Sequence, residues 1–160
     1  NWFIRLQQNR KAGTPVCTLC ICGSRDIDDY DLVEEAIDLG IKELNIKPTI
    51  VIHGDAKGVD RLAGEICKSK GYNVVAMPAN WNDIKGKDSK NIKTNNWGKK
   101  YNCLAGFERN KEMVDMADAL IAITLGTNGT NDSIKRAKDR GIPVYVYAPG
   151  EDNHEEGYTF

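Results

Sequence analysis

Three glycine-containing segments follow short apolar runs in this sequence, and their residue types are those that bind phosphate. The segments are Gly23-Ser24-Arg25-Asp26, Gly54-Asp55-Ala56-Lys57-Gly58 and Gly126-Thr127-Asn128-Gly129-Thr130. Glycine lets the backbone come close to a ligand, and backbone N–H groups, hydroxyls and cationic side chains all bind anions. Each segment alone is also compatible with an ordinary tight turn between a strand and a helix.

The third segment carries the most specific prediction. It lies between the apolar run 119–123 and a polar, helix-compatible stretch that begins at Ile134 and lasts to Arg140. A strand, a glycine loop and then a helix present free backbone N–H groups and the positive end of the helix dipole to an anion. The sequence therefore predicts a phosphate held by the backbone of residues 126–130 and by the hydroxyls of Thr127 and Thr130.

Predicted strands and helices alternate along the chain, and they must position these loops. Apolar runs predict strands at 16–22, 49–53, 73–77, 119–123 and 144–147, and helical periodicity predicts helices at 30–44, 59–70 and 105–117. This alternation predicts an α/β fold, a Rossmann-like doubly wound parallel sheet of about five strands with helices on both faces. Right-handed connections bring all strand-to-helix loops to one edge of such a sheet. The three glycine segments should converge there, where ligands bind.

Length and composition predict one domain covering residues 1–160. A formal net charge of −1 gives no overall attraction to nucleic acid or to anionic membranes. No apolar run approaches the ~20 residues that a membrane-spanning helix needs, and no signal peptide is recognisable. Five cysteines, with a single C-x-x-C inside a strand pattern, indicate reduced thiols. We expect a cytoplasmic protein with no membrane partner, no metal site and no cofactor beyond its ligand.

A lysine-rich insert at residues 82–104 interrupts the alternation of strands and helices. Its lysines are Lys85, Lys87, Lys90, Lys93, Lys99 and Lys100, against Asp83 and Asp88. Because it has no sustained periodicity, it is predicted to be irregular, either a lid over an anionic ligand or an arm that contacts another subunit. Trp81, just before it, is a candidate for stacking on a base, or for a role in the core or on the surface. Residues 1–15 and 150–160 are predicted to form an N-terminal arm and an acidic tail.

The sequence lacks the motifs of three other common sites: the dinucleotide-binding loop, the P-loop and the Ser/His/Asp triad. The first strand is not followed by G-x-G-x-x-G, and a G-x-x-x-x-G-K-[ST] segment is absent as well. The only histidines are His53 and His154, and no Ser/His/Asp set is recognisable. His53 ends a predicted strand, where a structural role is favoured over a catalytic one. Asp60, near a predicted helix start, is interpreted as a helix cap.

Six motifs occur in order between residues 17 and 146. They are GSRD at 23–26, HGDAKGVDRLA at 53–63, PANW at 78–81, AGFERNKEM at 105–113, GTNGT at 126–130 and GIPV at 141–144. This series closely resembles the YspA/YpsA-related branch of the SLOG superfamily, which also contains the Lonely Guy phosphoribohydrolases and the Smf-type DNA-processing proteins. The resemblance implies a Rossmann-like fold that binds nucleotides or nucleotide-derived ligands at the carboxyl ends of the strands. It also implies a homodimer or a higher homo-oligomer.

The GTNGT segment departs from the Lonely Guy pattern Gly-Gly-x-Gly-Thr-x-x-Glu. Thr127 replaces a glycine, Ser133 stands where the glutamate would be, and Asp132 lies one position early. Phosphate binding survives these departures, but the prediction of a hydrolase is weakened. The leading prediction is therefore a nucleotide sensor or carrier.

Two alternatives stay open. One is an enzyme that cleaves the N-glycosidic bond of a nucleoside monophosphate, with Arg109 and Asp132 as catalytic residues. The other is a binder of single-stranded nucleic acid that uses the insert lysines, Trp81 and Trp97.

Arg109 and Asn110 complete the predicted ligand site. The Arg109 guanidinium is suited to bidentate contact with a phosphate or to charge that develops on a ribose. Its alternative role is an ion pair with Glu112 or Asp115 on its own helix. The segment 23–25 is expected to border the sugar or the base.

Overall fold

Five parallel strands form the central sheet of the computed structural model, which describes residues 17–150. The strands of this sheet are β1 (Thr18–Gly23), β2 (Ile50–His53), β3 (Asn73–Ala76), β6 (Ala119–Ile123) and β7 (Val144–Tyr147). The helices are α1 (Tyr30–Leu44), α2 (Val59–Ser69), α3 (Ala105–Met116) and α4 (Asn128–Arg140). Two further strands, β4 (Ile92–Thr94) and β5 (Lys100–Asn102), form an antiparallel hairpin after a 3-10 turn at Ser89–Asn91. The predicted Rossmann-like α/β fold is confirmed.

Apolar side chains cover both faces of the sheet, with two helices on each. Successive side chains of a strand point to opposite faces, so β1 contributes to both cores. Ile21 of β1 packs in a cluster with Ile37 of α1 and the buried face of α2. Cys20 of the same strand packs in a second cluster with Met113 of α3 and Ala137 of α4. This double burial explains why the strands appear in the sequence as continuous apolar runs.

The spatial order of the strands, β3-β2-β1-β6-β7, contains one reversal. From β1 the chain moves outward to β2 and β3, and it then returns to place β6 on the other side of β1. Gly23, the last residue of β1, lies beside Ile123, the last residue of β6. The loops that follow these two strands lead to helices on opposite faces, so a crevice opens between them.

Helix α4 begins at Asn128, earlier than the predicted start at Ile134. The segment 126–130 is therefore a loop only at its beginning, because its last three residues form the first helical turn. Gly126 has φ 89°, a left-handed conformation that glycine adopts readily, and makes the bend before the helix. The first turn of α4 is polar, which is why apolar periodicity did not reveal it.

The insert at residues 82–104 is more regular than predicted, because it contains the β4–β5 hairpin. Lys93 lies opposite Tyr101 in this hairpin. The backbone N–H of Asn102, at the end of β5, donates to the carbonyl oxygen of Trp81 at 2.8 Å. Each of these strands has three residues, too few for a periodic pattern to indicate them.

Some predictions concern other parts of the chain. The N-terminal arm at 1–15 and the acidic tail, apart from Gly150, lie outside the described residues. Within residues 17–150, no helix has both the length and the apolar character to cross a membrane. All five cysteines fall in this part and carry free thiols.

Candidate ligand-binding site

An open cavity of about 540 Å³ lies at the crevice between the ends of β1 and β6. Nine of the predicted site residues line it: Gly23, Arg25, Lys57, Trp81, Arg109, Asn110, Thr127, Gly129 and Thr130. Its volume falls in the range of small-molecule sites, about 300–1,000 Å³. The convergence of the three glycine segments at one edge of the sheet therefore produces a space in which a ligand fits.

One end of the cavity is the first turn of α4. Thr127 is the residue before the helix, and its side chain accepts no capping hydrogen bond. The first amide groups of a helix have no acceptor within the helix, so they are available to an anion. Gly129 faces open space, and a side chain added there would meet no packed neighbour. The Thr127 hydroxyl donates to the Thr130 hydroxyl at 3.1 Å, so both hydroxyls lie beside these amides.

Two side chains from other elements hold this turn in place. The Ser24 hydroxyl, after β1, accepts from the backbone N–H of Leu125 at 2.8 Å. The Asn110 side-chain amide, on α3, donates to the carbonyl oxygen of Gly129 at 3.2 Å. Ser24 is buried behind the loop and does not line the cavity. Its predicted contact with a ligand is thus replaced by a role in positioning α4.

Arg109 lines the cavity while it bridges two neighbouring strand ends. Its Nη1 donates to the carbonyl oxygen of Gly54, after β2, and also to that of Met77, after β3, at 3.4 Å. Its Nε donates to the side chain of Asn110 at 3.0 Å. These partners replace the predicted alternative of an ion pair on its own helix. A β-carbon at position 54 would lie 2.3 Å from Nη1, so a side chain there would displace the guanidinium.

Two carboxylates line this cavity, the exposed Asp26 and the buried Asp60, and the sequence interpretation missed the role of Asp60. Asp60 is 5% exposed, lines the cavity and accepts from the backbone N–H of Ala56 at 3.4 Å. Burial raises the pKa of Asp60 to about 6, and the Arg109 guanidinium opposes that rise. The helix-cap interpretation of Asp60 is wrong, because Gly58, with φ 83°, occupies the cap position of α2. The sequence did contain a signal for this site role, namely an acidic residue inside a glycine-rich segment between a strand and a helix.

The other end of the cavity is aromatic and apolar. Trp81 and Phe107 are each 38% exposed and line it, together with Met113. The Trp81 ring lies edge-on against Tyr101 of the hairpin, with centroids 6.4 Å apart and an interplanar angle of 69°. This contact positions the indole, which stays partly exposed at the cavity.

Asp132, the predicted catalytic carboxylate, does not line the cavity. Its Oδ2 accepts from Arg136 Nε at 2.8 Å and from the Asn110 side-chain amide at 3.3 Å. Ser133, one residue later, is buried and does line the cavity. The helical start at 128 decides this, because it turns residue 133 inward and residue 132 toward Arg136.

The remaining predicted site residues belong to the loops around the cavity but do not line it. Gly58 packs against the loop after β1, where a β-carbon would lie 2.5 Å from the Arg25 carbonyl oxygen. Asp55 forms an exposed ion pair with Arg61 at 3.6 Å. Gly54, Gly126 and Asn128 belong to the same set, which shapes the loops without lining the cavity.

His53 has the structural role that was favoured for it. It is buried, and its Nδ1 accepts from the backbone N–H of Asp55 at 3.0 Å. Burial lowers the pKa of His53 to about 4, so the imidazole is neutral at physiological pH. Across residues 17–150, no group of three or more His, Cys, Asp or Glu side chains is arranged to hold a metal ion.

Comparison with known proteins identifies a family whose model matches part of this chain. Residues 18–83 match the model of the YspA, cpYpsA-related SLOG family. The resemblance to this SLOG family is confirmed. The matched segment contains β1, β2, β3 and the first two glycine loops. Arg109, Asn110 and the start of α4 lie beyond it, so the cavity is built from the matched segment and from the second half of the chain together.

Several solved structures resemble this fold. DNA processing protein A from Streptococcus pneumoniae aligns with a TM-score of 0.60 and 14% identity, over 88% of this chain and 53% of that protein. The chain thus spans about half the length of that protein. The molybdenum cofactor binding protein from Rippkaea orientalis aligns with a TM-score of 0.58 and 19% identity, over 89% and 82% of the two chains.

The Moco carrier protein from Chlamydomonas reinhardtii aligns with a TM-score of 0.51 and 18% identity, again over 89% and 82% of the two chains. At these identities the likeness shows the fold. No curated protein sequence gives a significant match.

Proposed function

We propose that this protein binds or carries a small phosphorylated ligand with a flat ring, of the nucleotide type, in the cavity between β1 and β6. One observation carries the proposal: the amino-terminal turn of α4 and the accessible face of Trp81 border the same cavity. An anion site and an aromatic platform within one space of this volume suit a molecule with a phosphate at one end and a ring at the other.

Three cationic side chains line the cavity against two carboxylates, Asp26 and Asp60, and this balance favours an anion. Arg25 and Lys57 line the cavity and are exposed, so they can attract an anion and move with it. Arg109 adds a third cation, held in place by its bonds to backbone carbonyl oxygens. The amides of the α4 turn add partial positive charge without side-chain flexibility. A phosphate bound there exchanges its hydrogen bonds to water for hydrogen bonds to these fixed donors.

The aromatic end favours a planar group. Stacking of a base on an aromatic side chain contributes about 1–3 kcal/mol in single-strand binding proteins. Trp81 and Phe107 are partly exposed and line the cavity, and the buried Met113 lines it as well.

A carrier or sensor is favoured over an N-glycosidic hydrolase. The hydrolase needs an accessible carboxylate beside the sugar to stabilise a positively charged transition state. Asp132 does not line the cavity and is engaged by Arg136. Asp60 lines it but is buried and accepts from the backbone N–H of Ala56, which leaves Asp26 as the exposed carboxylate of the lining. Two proteins of similar fold are described as binding or carrying the molybdenum cofactor, which supports a carrier role for this cavity.

A single substitution tests the site. Gly129→Val should abolish binding of nucleotides in calorimetry while the thermal unfolding midpoint changes little, because the added side chain enters the open space that the phosphate needs. Lys135→Val is the matched control, since Lys135 is exposed on the same helix away from the cavity. Equal nucleotide binding by the wild type and Gly129→Val would show that this turn is not the phosphate site.

The identity of the ligand is best found on the protein itself. Native mass spectrometry of the purified chain should reveal a mass increment that matches a nucleotide or another phosphorylated ring compound. An increment that matches a molybdenum cofactor would support the cavity as a ligand site but would change the proposed class of ligand. The same spectrum measures the mass of the assembly and so tests the proposed homo-oligomer.

A further inference from the structure

The insert hairpin concentrates positive charge that the cavity does not use. From Ser89 to Phe107 the sequence contains four lysines and no acidic residue, although the formal net charge of the chain is −1. Lys90 pairs with Asp88 at 3.9 Å. The other three, Lys93, Lys99 and Lys100, are exposed, and none forms a salt bridge with any residue from 17 to 150.

The pairing of the hairpin spreads these lysines over both of its faces. Lys93 lies opposite Tyr101, and Thr94 lies opposite Lys100. Neighbouring residues of a strand point to opposite faces, so Lys93 and Lys100 project from different sides. A bound polyanion can therefore contact lysines along an edge of the hairpin rather than on one flat face.

An ordered turn places a tryptophan at the tip of this charged hairpin. Trp97 is 88% exposed. The Asn95 side chain accepts from the backbone N–H groups of Trp97 at 2.9 Å and Lys99 at 3.0 Å, and Gly98 has φ 77°. A single exposed aromatic residue needs no explanation by itself. Here, however, a hydrogen-bonded turn presents it between unpaired lysines.

We propose that this hairpin binds single-stranded nucleic acid, with Trp97 stacked on a base and Lys93, Lys99 and Lys100 at the phosphates. Aromatic stacking combined with cations along the backbone is the chemistry that recognises single strands without sequence preference. A duplex is disfavoured because its paired bases do not offer their faces to a side chain. An anionic membrane is disfavoured because interfacial binding scales with buried apolar area, and the tip offers one large apolar side chain.

Fluorescence anisotropy of a labelled oligothymidylate of about 20 nucleotides, measured from about 50 to 200 mM salt, tests the proposal. Trp97→Ala should weaken binding about 5- to 150-fold, which corresponds to the loss of one stacked base. Trp97→Tyr should retain most of the affinity. The variant Lys93→Gln/Lys99→Gln/Lys100→Gln should lower the slope of log K against log salt by about 0.7 per lysine.

The control variant is Lys42→Gln/Lys47→Gln/Lys68→Gln, which removes the same charge from exposed lysines at the opposite edge of the sheet. It should leave the slope nearly unchanged, and an equal reduction would show that only the overall charge matters. Gly129→Val should bind the oligonucleotide like the wild type, which separates this surface from the cavity.

Four results would overturn the proposal. They are no binding of the oligonucleotide at low salt, equal binding by Trp97→Ala, tighter binding of a duplex of the same length, and loss of binding in Gly129→Val. Binding to phosphatidylserine vesicles that depends on Trp97, without binding to the oligonucleotide, would identify a membrane surface instead.

Discussion

The hydroxyl of Ser24, after β1, lies 3.3 Å from the hydroxyl of Thr127, the residue before α4. This contact joins residues that are 103 positions apart. The same Ser24 oxygen accepts from the backbone N–H of Leu125. One buried side chain thereby fixes the end of β1 to the start of the helix whose amides form the proposed phosphate site.

Ser24→Ala should loosen this helix start. The Leu125 N–H loses its acceptor, and an unsatisfied donor of this kind costs about 1–3 kcal/mol. Chemical denaturation should show that loss in the free energy of unfolding, and calorimetry should show weaker nucleotide binding. Unchanged nucleotide affinity in a destabilised Ser24→Ala protein would mean that the helix start needs no support from Ser24.

Arg109→Lys should lower both stability and affinity. A lysine has one side-chain nitrogen, whereas Arg109 uses Nη1 for the carbonyl oxygens of Gly54 and Met77 and Nε for the Asn110 side chain. Leaving these acceptors unpaired should lower the free energy of unfolding by about 1–3 kcal/mol. Arg61→Lys, on the exposed face of α2, is the matched control, and it should change stability by less than about 0.5 kcal/mol. Similar losses in both variants would contradict a bridging role for Arg109.

Release of free base from nucleoside monophosphates should be at background level in the wild type. Chromatography of the products would detect turnover at an ordinary enzymatic rate, on the order of 1 per second. If such turnover occurred and disappeared in Asp132→Asn, the pairing with Arg136 would not keep that carboxylate out of the reaction. Loss in Asp60→Asn instead would assign the reaction to the buried carboxylate.

His53 should make the protein less stable in acid. Its pKa is about 4 in the folded state against an ordinary value of 6.5, so the unfolded chain binds the additional proton between these values. As pH falls from about 6.5 to 4, this group should remove up to about 3 kcal/mol of stability. Asp60, with its pKa raised to about 6, acts in the opposite direction, since the folded state binds the additional proton.

The comparison of wild type with His53→Gln isolates the histidine, because Asp60 is present in both. Denaturant unfolding at pH 7 and pH 4.5 gives the two differences in free energy. The wild type should lose more stability than the variant over this interval. Parallel losses would show that the imidazole is protonated as easily in the folded protein as in the unfolded chain.

The insert should be ordered before any ligand binds. The backbone N–H of Asn102 donates to Trp81, and that of Cys103 donates to Asn91 at 2.9 Å, both within one chain. Hydrogen exchange should therefore show protection of these amides without ligand and without dependence on protein concentration. Protection that appears only with nucleotide would identify a lid that orders on binding. Protection that is lost on dilution would identify an arm between subunits.

Much of the fold was predictable because its signals are local. Strands buried on both faces produce continuous apolar runs, and α1 and β7 have the bounds that the sequence predicts. Glycines after three of these runs placed the cavity at the carboxyl edge of the sheet, since right-handed connections leave no other edge for them. The sequence alone therefore determined the fold class, the edge that carries the cavity and half of the residues that line it.

Only the tertiary structure decided which side chains face that cavity. Arg109 bonds to a carbonyl oxygen 55 residues away, and this distant partner competes with the local ion pairs that the helix offers. Asp60 is turned inward by the packing of α2 on the sheet, whereas Asp132 is turned toward Arg136 because α4 starts at residue 128. Such outcomes depend on contacts between distant segments, and periodicity, which reports only on neighbours within a few residues, carries no information about them.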